Sequence, residues 1–101
     1  MYILLGVFEW DPAKAARNLD KHGVSFDQAI TVFDDPAWLD GPARSHVEPR
    51  TWRLGRSTAG AILLVVYTVR SRADGTTIRI ISARRASRKE RAAYAAQDPA
   101  H

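Results

Sequence analysis

Nine consecutive residues, Ala61 to Val69 (AILLVVYTV), carry no charge, Gly or Pro. Such a run is apolar on both alternating faces, which places it as a strand at the centre of a sheet. Ala73-Asp74-Gly75 supplies a hairpin turn signal just beyond it, and Thr76 to Ala83 reads as the returning strand. Arg50 to Gly55 alternates ahead of it, with Thr51, Arg53 and Gly55 on one side and Arg50, Trp52 and Leu54 on the other. Trp38-Leu39 is a short strand candidate, followed by a polar loop from Asp40 to Pro49. Consecutive strands with short connections imply an antiparallel sheet.

The rest of the chain carries helix punctuation. The apolar run from Met1 ends in Phe8-Glu9-Trp10 and reads as one edge strand, because it lacks a basic start and a small-residue cleavage site. Asp11 caps a helix whose first residue is Pro12; the helix runs to Lys21-His22 and stops at Gly23. Ser25 and Gln28 form a capping box for a second helix, with Ala29, Ile30 and Phe33 on its apolar face, ended by Asp34-Asp35-Pro36. Ser87 and Glu90 repeat the box for a last helix through Tyr94, and Gln97 to His101 is expected to fray. The expected class is α+β: a compact antiparallel sheet with helices on one side, in the order β-α-α-β-β-β-β-α. One domain is expected across residues 1–101.

Charge narrows the function. Fifteen Lys and Arg face 11 Asp and Glu, giving +4 and a pI near 10.0. The signs separate along the chain: 4 basic and 8 acidic residues up to Glu48, then 11 basic and 3 acidic after it. A polyanion-binding face in the C-terminal half follows, or two partners of opposite sign. With no cysteine there is no disulfide, thiol nucleophile or sulfur-ligated metal. There is no Gly-rich phosphate loop, H-E-x-x-H or G-x-S-x-G. His22, His46 and His101 lack ligand spacing, and Asp34-Asp35 point apart, so any chemistry is expected to need no metal and no cofactor. No apolar stretch reaches the roughly 20 residues of a membrane helix, and a cytoplasmic location is expected.

What remains is His46, Glu48, Arg50, Arg53 and Arg56 on a loop and strand, with Tyr67, Arg79, Arg84, Arg85, Arg88, Lys89, Arg91 and Tyr94. Metal-free RNA cleavage needs one group to take a proton from a ribose 2′-hydroxyl and another to protonate the leaving 5′-oxygen. It also needs cations at the phosphoryl oxygens. His46 and Glu48 can move protons, and arginines suit bidentate phosphate contacts. The same residues would equally make a noncatalytic basic surface. Trp10, Trp38 and Trp52 are expected as core anchors rather than base-stacking platforms.

Several motifs in order are more specific. Phe8-Glu9-Trp10-Asp11, Asn18-Leu19-x-Lys21-His22-Gly23-Val24-Ser25-Phe26 and Val32-Phe33-Asp34-Asp35-Pro36 are followed by His46 and Glu48-x-Arg50. Leu54-Gly55-Arg56-Ser57, Val65-Val66-Tyr67-Thr68, Arg79-Ile80-Ile81-Ser82-Ala83-Arg84 and Ala86-Ser87-x-x-Glu90-Arg91-x-x-Tyr94 complete the set. From about Phe8 to Tyr94 the chain resembles the BrnT family of toxins. Where Pro49 stands, that family commonly carries an acid. The resemblance implies a RelE-like α+β fold and a ribonuclease toxin of a type II toxin–antitoxin system that cleaves RNA and arrests growth. It implies neutralisation by a BrnA-like ribbon-helix-helix antitoxin in a 2:2 heterotetramer, with operator DNA bound only through the antitoxin and no membrane partner. Carried onto this chain, it puts His46 and Glu48 in proton transfer, with Arg50, Arg56 and Arg84 on phosphate. Arg79, Arg85 and Tyr94 would contact RNA. On a regular strand Arg79 and Arg84 face opposite sides, so both serve one site only if a bulge or the strand end intervenes. The competing readings are a noncatalytic nucleic-acid-binding subunit of an autorepressing complex and an antitoxin-docking remnant.

Overall fold

The apolar run forms the middle of the sheet. A computed structural model describes residues 3–5, 7–45 and 47–97. Its strands are β1 (Ile3–Leu5), β2 (Phe8–Trp10), β3 (Leu39–Ala43), β4 (Arg50–Arg56), β5 (Ile62–Arg72) and β6 (Gly75–Arg85). Its helices are α1 (Pro12–His22), α2 (Phe26–Ile30) and α3 (Arg88–Ala96), with a 3-10 turn at Thr31–Asp34. The spatial order is β1-β2-β6-β5-β4-β3. No helix among the described residues is long and apolar enough to cross a membrane.

The local punctuation acts as read, except that Gln28 does not close the reciprocal box expected with Ser25. Asp11 Oδ1 accepts from the Ala13 N–H at 2.9 Å, and Gly23, at φ 69°, closes α1 in the left-handed conformation. Ser25 caps α2, but the Gln28 side chain donates to Ser57 Oγ at 3.3 Å and thereby ties α2 to the end of β4. Ser87 and Glu90 form the full reciprocal box at the start of α3.

Five expectations are corrected. The sheet is mixed: β2 runs parallel to β6, because the chain leaves β2 through α1 and α2 and re-enters at the far edge. The N-terminal run is two strands, with Leu5 paired to Phe8, so the order begins β-β. The loop expected from Asp40 is strand up to Ala43. As an edge strand it tolerates Pro42, and Gly41 is needed because a Cβ there would stand 2.6 Å from Trp52 Cζ2. The helices occupy both faces. Trp10, Phe26, Val32, Leu63, Val65, Tyr67, Ile80 and Ala83 bury one face under α1 and α2. Leu54, Ala86 and Tyr94, with Leu39, Trp52, Ile62 and Leu64, bury part of the other under α3. A strand apolar on both faces requires cover on both. Gln97 is also held, its Nε2 donating to the Ala37 carbonyl; residues 98–101 lie outside the described residues.

Asn18 locks α1 to the sheet. Its Nδ2 donates to the Val24 and Ala83 carbonyls at 3.0 and 2.8 Å, and its Oδ1 accepts from the Ala83 N–H at 3.1 Å. A buried amide satisfied on both sides substitutes for a neighbouring strand at that point of β6.

Candidate active site

Strand register places the charged residues. Val66 pairs with Ser82 but Tyr67 with Ile80, so Ile81 is an extra residue in β6. That bulge resets the alternation. Arg79 stands opposite Thr68 and Arg84 opposite Leu64, and both therefore project on the α3 face. The condition for the two arginines to share a face is met.

Beyond the cover of α3, this face carries a row across four strands. Thr51 pairs with Tyr67, which sets Arg50 beside Thr68; Thr68 pairs with Arg79, and Arg79 with Glu9. Thr68 Oγ1 donates to the Pro49 carbonyl at 2.8 Å and fixes the strand entry that carries Glu48. The Glu48 carboxylate lies between two arginines: Arg70 Nη2 donates to Oε2 at 3.2 Å, and Arg50 Nε is 4.0 Å from Oε1. The Nε atoms of Arg50, Arg53 and Arg70 are all buried without a hydrogen-bond acceptor among the described residues, so this feature does not by itself mark the row. Arg79 donates through Nε and Nη2 to Glu9 Oε2 at 3.0 and 2.8 Å, and Glu9 is only 2% exposed.

The other predicted residues sit elsewhere. Arg56 ends β4, about 20 Å from Arg50 at ~3.3 Å per residue. Its N–H donates to Asp35 Oδ2 at 2.7 Å, and its guanidinium lies 5.7 Å from the centre of the Tyr94 ring. The Tyr94 hydroxyl donates to the same Oδ2 at 2.6 Å, and the Ala37 N–H to Oδ1 at 2.9 Å. Burial pushes the Asp35 carboxyl up, but these hydrogen bonds and the Arg56 charge outweigh it and leave it below its ordinary range. Burial, then the Asp35 hydrogen bond, raises the Tyr94 phenol. Arg84 forms a bidentate pair with Glu90 at 2.8 and 2.9 Å, which raises the guanidinium and lowers Glu90 to about 2. Arg85 pairs opposite Leu63, so alternation turns it from Arg84 toward the α1 side. His46 lies outside the described residues.

Arg53 and Tyr67 belong to the covered face, as the alternation of β4 requires. The Arg53 guanidinium lies 4.1, 4.6 and 5.6 Å from the ring centres of Trp38, Phe33 and Tyr67, and 3.6 Å from Asp40. Trp38 is therefore a half-exposed stacking partner, whereas Trp10 is the expected core anchor. Sequence reasoning gave no role to Arg70, Thr68 or Glu9. A signal existed for each: Thr68 and Arg70 share an alternation face at the end of the apolar run, and Glu9 is a carboxylate between Phe8 and Trp10.

Residues 10–90 match the family model described as ribonuclease toxin, BrnT, of type II toxin-antitoxin system. No curated protein matches the chain.

Proposed function

The chain belongs to the BrnT family of ribonuclease toxins of type II toxin–antitoxin systems, and from that premise we propose that it cuts RNA, without a metal, at the row containing Glu48, Arg50 and Arg79. The observation that carries the reading is the Glu48 carboxylate held between the part-exposed guanidiniums of Arg50 and Arg70, at 4.0 and 3.2 Å, on the sheet face beyond α3. A phosphoryl oxygen is an acceptor that the exposed N–H groups of two adjacent guanidiniums fit.

RNA brings its own nucleophile. As the 2′-oxygen bonds to phosphorus, its proton passes to Glu48, the carboxylate of the row. The bond from phosphorus to the 5′-oxygen breaks, and His46, two residues before Glu48, supplies the proton to that oxygen. The products are a 2′,3′-cyclic phosphate and a 5′-hydroxyl. Arg50, Arg70 and Arg79 stabilise the charge that develops on the phosphoryl oxygens. Glu9 is a positioning residue, holding the Arg79 fork. Arg84 is a phosphate contact at the α3 side of the same face, and Arg85 binds RNA more peripherally. The ties of Arg56 and Tyr94 to Asp35 favour a framework role for both. A toxin of this class has an antitoxin partner; we assign it the ribbon-helix-helix type in a 2:2 assembly, with operator DNA bound through the antitoxin.

The test is cleavage of an end-labelled RNA by the purified protein in EDTA, with His46→Ala and Glu48→Gln alongside. Cleavage leaving a cyclic phosphate, lost in both variants while circular dichroism stays unchanged, supports the reading. Binding without any product in the wild type assigns the chain to the noncatalytic alternative.

A further inference from the structure

A second basic surface lies around the edge of β6. Lys14, Arg17 and Lys21 recur along one side of α1, His22 joins them at its end, and they line a groove with Ile81 and Ser82. No carboxylate is in that lining among the described residues. The groove exists because β2 pairs with β6 only as far as Arg79, so the β6 edge beyond it meets α1 instead of a strand. The three hydrogen bonds of Asn18 hold the helix there. Ser82 joins the two surfaces: it pairs with Val66, two residues along β5 from Thr68 on the same face, and it also lines the groove.

We propose that this groove is an RNA-backbone subsite that continues the strand's path from the Arg50–Arg79 row past the β6 edge. The proposal rests on the ribonuclease reading and extends its substrate contact. Cations recurring at about one helical turn, roughly 5 Å apart, suit a run of phosphates. With the Asn18 amide engaged by Val24 and Ala83, the lining offers chiefly Lys and Arg, which give sequence-independent, salt-sensitive attachment. A lysine-rich lining with one apolar residue is poor material for the core of a protein interface.

The experiment measures binding of 2′-O-methyl RNA, which cannot be cut, by fluorescence anisotropy across a salt series. Oligomers of about 6 and about 20 nucleotides are compared for wild type and Lys14→Gln/Arg17→Gln/Lys21→Gln. The variant is expected to lose about tenfold in affinity for the longer oligomer and less than about twofold for the shorter. Its salt slope for the longer oligomer should fall by about 2, since each single-strand phosphate contact contributes ~0.7. Single Lys14→Gln and Lys21→Gln variants, each with thermal melts, should show proportionate losses in a protein of unchanged stability. Unchanged affinity and slope on the longer RNA overturn the proposal. So does unchanged RNA binding accompanied by loss of polyglutamate binding, which would give the groove to an acidic protein. Wild-type cleavage of unmodified RNA is read separately: its absence would refute the ribonuclease reading, while the uncuttable oligomers still decide the groove.

Discussion

Tyr94→Phe separates framework from site. Tyr94 is 7% exposed, and its hydroxyl makes a 2.6 Å bond to an Asp35 carboxylate that also accepts the Arg56 and Ala37 N–H groups. This knot joins α3, β4 and the segment after the 3-10 turn, three pieces distant in sequence. Removing the hydroxyl deletes one hydrogen bond to a charged group and leaves the ring packing intact. Such bonds contribute about 1.5–3 kcal/mol, and the two remaining N–H donors keep the carboxylate satisfied, so about 2 kcal/mol is expected. In a domain of this size that corresponds to a melting temperature lower by roughly 8–16 °C. The pH dependence follows with a definite sign. Asp35 lies below its ordinary 3.8 in the folded chain, so its contribution is fully present above that value and is lost as pH falls through the folded value. In Tyr94→Phe the carboxyl moves back up and this acid-side loss shrinks. The assays are thermal melts from pH 2 to 7 and RNA cleavage well below the melting temperature. Unchanged kcat and KM in the destabilised variant are expected. A variant of wild-type stability that has lost cleavage would refute the framework role and return Tyr94 to RNA contact.

Further outcomes follow from the same geometry. Glu48→Gln should lower the cleavage rate by at least about 100-fold while RNA affinity holds or rises, because a negative charge leaves the row; single-turnover kinetics and anisotropy read the two separately. Asn18→Ala should cost at least about 3 kcal/mol, since it strands the Ala83 N–H and two carbonyls, and the urea midpoint reports it. Glu90, held at about 2 by Arg84 against an ordinary 4.5, contributes stability in full above about 4.5 and loses it as pH falls toward 2. Melts of Glu90→Gln should lack that component.

What the sequence disclosed was local, and what it withheld was not. Asp11, Gly23, Ser25 and Ser87 were legible because a cap bonds only within the turn beside it, the following turn for the three N-caps and the preceding one for Gly23. Arg50 and Arg53 were correctly assigned to opposite faces because β4 is regular. Arg79 and Arg84 needed the bulge at Ile81, and Ile80-Ile81-Ser82 carries no residue that marks one. The parallel pairing of β2 with β6 could not be read from three residues whose partner lies about 70 positions away. Asp35 read as a helix stop, yet its carboxylate gathers donors from β4 and α3, a convergence that only the fold creates. Within the proposed site, Glu48, Arg50 and Arg79 were found by residue type and resemblance. Arg70 stands one residue past the apolar run and received no role.

The claim that the Glu48 row is the cleavage site is tested most directly by two arginines of one strand. Arg50 and Arg56 both end β4 on the α3 face, at opposite ends. Single-turnover cleavage of a labelled RNA in EDTA should fall at least about 100-fold in Arg50→Ala and no more than a few-fold in Arg56→Ala, with both proteins folded by circular dichroism. Equal losses, or a loss confined to Arg56→Ala, would contradict the account and move the site to the α3 end of the sheet.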